Sequence, residues 1–218
     1  QPGQPWPGQP QPGQQWAQPG NPYPQQQWAP QQHPQGAWNQ GYPQRPGPLT
    51  MVGLGVIPVA LGIVLELVAL FAVPWVTFTS GAVSVSFTFL DLLKQSDQVK
   101  FSSDLATSYV QWFGFLLTAL TMAAVLPWTL GALRTKRSAF LLSSIRRKEL
   151  THTNFWWYRT VFAGRATLML LLHAGGVVLI FARNFSLLGL GPYLLVGGAL
   201  LVVVGAAIGP RKGTEMPR

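Results

Sequence analysis

Two ionisable residues sit inside long apolar stretches of this chain: Glu66, within GIVLELVALF, and His173, within LMLLLHAGGVVLI. A charged group near mid-membrane costs about 2.5–3.5 kcal/mol on insertion scales, so such a residue normally faces the protein interior and has a partner. Three uses are open. Glu66 and His173 can form an intramembrane pair that moves a proton or cation, or recognises a substrate. The use can be purely structural, either a polar clasp between helices or a protonated Glu66 hydrogen-bonded to Thr118 or Thr121 of the second span. Glu66 can also meet a basic residue of another subunit. One acid and one imidazole do not make a relay, so the clasp or the subunit contact is the expected use.

The elements that must position this pair are four apolar stretches, read as spans at about 51–74, 109–133, 160–183 and 192–209. About 20 apolar residues cross the roughly 30 Å hydrocarbon core. Only 10% of the chain is charged, against about 25% in an average soluble domain. Glu66 lies nine residues before Trp75 and His173 ten residues before Arg183. At about 1.5 Å per residue these depths match, since the first and third spans run the same way. The expected fold is an all-α membrane bundle of four transmembrane helices.

Charge placement gives the orientation. The net charge is +9, and eight of the fifteen basic residues fall between Arg134 and Arg165. With both termini inside, twelve basic residues lie inside and three outside, as the positive-inside rule requires. The expected topology is therefore multi-pass, N-in and C-in; a bacterial inner membrane as its location is what the resemblance of the phrase AVPWVTFTSGAVSVSFTFLDLL to small bacterial membrane proteins implies. The basic inner loop, 134–159, carries Arg134, Lys136, Arg137, Arg146, Arg147 and Lys148, a surface for anionic phospholipids or an acidic partner. Residues 139–150 suit a short interfacial amphipathic helix. Trp156, Trp157 and Tyr158, with Trp75 at the other side, read as interfacial aromatics. Gly205 and Gly209 form a GxxxG step, and Gly175 and Gly176 follow His173; such small residues let helices approach closely, within the chain or against another subunit.

The outer loop, 75–108, is patterned. With Ser80 and Gly81 as a two-residue turn, Phe78 faces Val83, Val76 faces Val85 and Thr77 faces Ser84, the matching of faces that a half-buried β-hairpin requires. A helical turn is expected at 90–94, and a cap for the second span from Ser102, Ser103 or Asp104. The phrase AVPWVTFTSGAVSVSFTFLDLL resembles a pattern in small bacterial four-span membrane proteins, many of them actinobacterial, with a claudin-like layout and a Pro/Gln/Gly-rich cytoplasmic tail. The resemblance implies a bacterial membrane module without an agreed activity. True claudins carry a Trp and Cys signature in this loop, and this chain has no cysteine, so barrier function is not implied.

Residues 1–48 hold 13 Pro, 15 Gln and 7 Gly, with Trp6, Trp16, Trp28 and Trp38 in related phrases. Proline and glycine at this density oppose helix and sheet, so a disordered cytoplasmic tail is expected. No cleavable signal peptide is expected ahead of the first span. Because the chain begins at Gln1 rather than Met, its start is expected upstream. Residues 211–218 form a short basic C-terminal tail.

Catalysis finds little support. Without cysteine there is no thiol chemistry or Cys-ligated metal site. Asp91, Asp97 and Asp104 are outside but scattered, and no Ser/His/Asp set is expected, since His33 and His152 fall on the cytoplasmic side and His173 within the membrane. Neither metal nor cofactor is expected, and no nucleic-acid module is present. The expected role is a non-enzymatic accessory or scaffold subunit of a larger cell-envelope or transport complex, with other membrane protein subunits as partners. The alternative is a small transporter or channel component, a possible homo-oligomer, using Glu66 and His173.

Overall fold

The computed structural model describes residues 48–81, 83–98, 101, 103–133, 138 and 150–218. The Pro/Gln-rich segment 1–47 lies outside the described residues, as does the interfacial helix expected at 139–150 except for Leu150. Over the described residues the protein is mostly helical, with two small sheets.

Four helices form the bundle. Helix α1 covers Val56–Phe71, and a short α2 covers Phe89–Lys94. Helix α3 runs Asp104–Thr129, α4 Phe155–Phe181 and α5 Leu190–Ile208. These last three are long and apolar enough to cross a membrane. At 16 residues, α1 is shorter. It starts later than the apolar run because Thr50–Met51 form strand β1, and it stops before Pro74, which opens strand β2. Around the bundle α1 neighbours α5, α5 neighbours α4, α4 neighbours α3, and α3 returns to α1. Helices α1 and α4, which carry Glu66 and His173, therefore face each other across the diagonal.

The α1–α5 seam is built from glycine. A methyl group at Gly62 would strike the Gly198 carbonyl, and one at Gly198 would come 2.6 Å from the Gly62 carbonyl. Two turns along, a methyl group at Gly205 would come 2.5 Å from the Gly55 carbonyl. The helices are antiparallel and touch backbone to backbone. In hydrocarbon this is a main source of helix association, since lipid tails are as apolar as the side chains. The outward positions Ile57, Leu61, Val64, Leu116, Leu171 and Leu200 are exposed.

Strands β2 (Pro74–Ser80) and β3 (Val83–Thr88) pair antiparallel. Phe78 lies opposite Val85 and Val76 opposite Phe87, whereas the sequence had suggested Val83 and Val85. The turn falls one residue later than expected, after the Ser80–Val83 pair, and Gly81 has a φ of +59°. Short hairpin turns favour a positive φ at their first central position, which glycine adopts without the penalty serine would meet. Moving the turn by one residue moves each partner by two, so the expected faces survive.

The second sheet pairs β1 with β4 (Arg211–Lys212), joining the chain before α1 to the chain after α5. The tail 211–218 is thereby seated. The Gly213 amide donates to the Leu49 carbonyl (2.9 Å) and the His152 amide to the Pro217 carbonyl (2.7 Å). Met216 is buried with Trp128, Leu133, Leu150, Phe155, Tyr158 and Phe162.

Candidate functional site: a buried polar layer between two capped ends

Glu66 and His173 are both fully buried. Along α1, Glu66 falls between Ile63, which joins an apolar cluster with Val59, Val125 and Val202, and Ala69, which joins one with Trp75, Phe89 and Leu195. Thr118 and Thr121 occupy the same level on α3, between Leu117 and Val125. His173 does so on α4, between Ala166 and Val177. One polar layer thus separates two apolar clusters.

No hydrogen bond joins Glu66 to His173. The His173 Nδ1 instead meets the Tyr109 hydroxyl at 2.8 Å. If that hydroxyl donates, the imidazole proton resides on Nε2. Tyr109 opens a π-helical turn, Tyr109–Phe113, inside α3. Its ring lies on Gly176, where a methyl group would collide with it. A wide π turn re-aims a side chain that a regular helix would send elsewhere, and nothing in the sequence marks it. The sequence reading missed Tyr109 for this reason. Glu66 is within electrostatic reach of Tyr109. The Thr118 hydroxyl lies beside the Glu66 carboxylate but outside hydrogen-bond geometry. Both Glu66 carboxylate oxygens, the hydroxyls of Thr118 and Thr121, and His173 Nε2 have no hydrogen-bond partner among the described residues. Buried polar atoms are usually paired, so this cluster stands out chemically.

The two ends of the bundle are closed differently, each around a buried tryptophan. Trp75 donates its indole N–H to the Ala69 carbonyl (2.6 Å), lies 4.6 Å from Phe89 centre to centre, and covers Gly191. Thr88 and Asp91 form a reciprocal cap on α2. The Thr88 amide and hydroxyl bonds hold the Asp91 carboxyl below its ordinary pKa. Of the three possible caps for the second span, Ser103 is used: its hydroxyl accepts from the Ala106 amide at 3.2 Å.

At the other end Trp128 donates to the Ala206 carbonyl (3.0 Å) and stacks on Phe162 at 4.7 Å. Gly209, expected as part of a GxxxG packing step, does lie in the close approach, since a methyl group at Gly55 would come 2.8 Å from its amide nitrogen, and it also terminates the helix. Its φ is +67° and its amide still bonds Gly205. Gly205 packs on Gly55 as described, whereas Gly175 meets nothing within 4 Å. Of the four aromatics read as interfacial, Trp75 and Tyr158 are buried in the core, and Trp156 and Trp157 are exposed. Arg134, Lys136, Arg137, Arg146, Arg147 and Lys148 lie outside the described residues.

The sheet separates its faces cleanly. Thr77, Thr79, Ser84 and Ser86 form one side. Val76, Phe78, Val83, Val85 and Phe87 form the other, with only Ser80 breaking it. Near the bundle this apolar side is covered: Val76 is 8% exposed and bridges to Leu188. Toward the turn it is bare, with Phe78 46%, Val85 47% and Val83 63% exposed.

No family model, curated protein or solved structure matches the chain.

Proposed function

We propose that this protein is a non-enzymatic, four-span accessory subunit of a larger bacterial membrane complex, N-in and C-in, with the β2–β3 sheet outside. The observation that carries the reading is the uncovered apolar strip Phe78, Val83 and Val85 at the tip of the sheet. Apolar patches left open on a structured surface mark interaction sites. Here the strip continues a face that is already half used within the chain. Helix α1, at 16 residues about 24 Å long, crosses as the fourth span with help from its flanking residues. Twelve basic residues on the inner side support the orientation. A photo-crosslinking residue placed at Phe78 or Val85 in the native membrane should capture one partner membrane protein. The same residue at Thr77 or Ser84 should not. Equal labelling from both faces, or labelling by lipid alone, would refute the reading.

A second reading, a small oligomeric transporter or channel component, draws on the unpartnered atoms of Glu66, Thr118, Thr121 and His173. These are the groups a proton, cation or polar substrate would engage. Both ionisable side chains are fully enclosed by the bundle, which favours the first reading. Glu66→Gln separates the two. Lost flux in proteoliposomes with unchanged assembly would support transport, whereas weakened assembly with no flux in either protein would support a clasp.

A further inference from the structure

At the tail end of the bundle, α4 begins, α5 ends and strand β4 pairs with β1. A cavity of about 300 Å³ opens there, lined by Arg159, Arg211 and Lys212 over an apolar floor of Leu54, Phe155 and Ile208. The cations converge. The Arg159 guanidinium carbon is 5.4 Å from the centre of the Phe155 ring, and the Lys212 ammonium is 5.6 Å from the same centre. Arg159 Nε is buried and has no hydrogen-bond partner among the described residues. Lys212 donates one bond, to the His152 carbonyl at 3.3 Å. The only acid of the tail, Glu215, is exposed, and no ion pair to these cations is present among the described residues.

Cations held together without a counter-ion repel one another, and an aromatic face offsets only about 0.5–1 kcal/mol for each at an exposed site. An anion in the cavity would relieve this. Two residues of the apolar floor are themselves exposed: Leu54, in the turn before α1, and Ile208, the last residue of α5. A free anion has no use for such a floor, whereas a phospholipid presents a phosphate and an acyl chain in that arrangement. Basic pockets at the ends of membrane helices suit anionic headgroups.

We infer that Arg159, Arg211 and Lys212 form a binding site for one anionic phospholipid, its phosphate among the three cations and its acyl chain against Leu54 and Ile208. None of the three residues belongs to the basic sequence segment 134–148. It rests on the membrane reading and is independent of the partner proposed for the sheet.

The test is native mass spectrometry of the full chain from mixed micelles holding equal phosphatidylglycerol and phosphatidylcholine. The chain should retain one phosphatidylglycerol in preference. Arg211→Gln with Lys212→Gln should weaken retention about fivefold for each cation removed. Both side chains are exposed and β4 pairs through its backbone, so the fold should be kept, as an unchanged thermal melt would show. Arg183→Gln, at the opposite end, should leave retention unchanged, as should millimolar inorganic phosphate. Equal retention of the two lipids, or full retention by the double variant, would overturn the inference. Displacement of the lipid by inorganic phosphate would also overturn it and assign the cavity to a free anion. Crosslinking from the sheet would be unaffected in every case.

Discussion

The two ends of this bundle solve one problem with opposite surfaces. Each is closed by a fully buried tryptophan whose indole N–H donates to a helix carbonyl, Trp75 to Ala69 and Trp128 to Ala206. Around Trp75 the cover is a sheet that overshoots the core and leaves neutral apolar side chains bare. Around Trp128 the cover is the chain's own tail, Met216 included, and what remains open is cationic. The same closure therefore leaves an apolar strip open at one end, the surface proposed for a protein partner, and a basic cavity at the other, the site proposed for a lipid headgroup.

The sharpest way to break this comparison is to remove the shared feature. Trp75→Ala and Trp128→Ala should each cost about 3–5 kcal/mol, read as unfolding in detergent by added denaturant. A loss at one end only would show that the closures are not equivalent. Met216→Ala should cost about 2 kcal/mol, the low end for such a truncation, because a terminal segment can settle into the space. No change would mean that the tail does not contribute to the core. Thr88→Ala should cost about 1 kcal/mol through loss of the α2 cap.

The same cap gives a pH signature confined to the sheet end. Asp91 has its folded pKa lowered, so its contribution is complete above the ordinary value of 3.8 and fades as pH falls through the lower folded value. The protection factors of the Thr88 and Asp91 amides, measured against the intrinsic exchange rate at each pH, should fall in that acidic window and stay flat at higher pH in the wild type, and Asp91→Asn should abolish the transition. Smallest of all, Phe78→Ser should change stability by less than about 0.5 kcal/mol, because its side chain is half exposed. A large loss would place Phe78 in the core rather than on an interaction surface.

Much of the architecture could be read from residue patterns. Long uncharged runs marked the helices, and strict alternation from Val76 to Phe87 marked the strands and their faces. The depths of Glu66 and His173 placed both in one layer. What escaped was set by backbone detail. Register depended on whether Ser80 or Gly81 opens the turn, a difference of one residue decided by a positive φ. The Tyr109–His173 bond depended on a π turn with no sequence signature. Gly205 and Gly209 look alike as a GxxxG step and both pack against the start of α1, yet only Gly209 also ends the helix. The docking of Met216 was hidden because a single apolar residue in a polar tail carries no periodicity.

The account's central claim concerns the bare strip on the sheet. Its most direct test is purification of the full chain from native membranes in mild detergent, with quantitative mass spectrometry, for the wild type and for Phe78→Ser with Val85→Ser. The account predicts a larger membrane complex in stoichiometric amount with the wild type, reduced at least tenfold in the variant while the variant itself stays folded. Recovery of the wild type alone or only as a self-oligomer, or an undiminished complex with the variant, would contradict it.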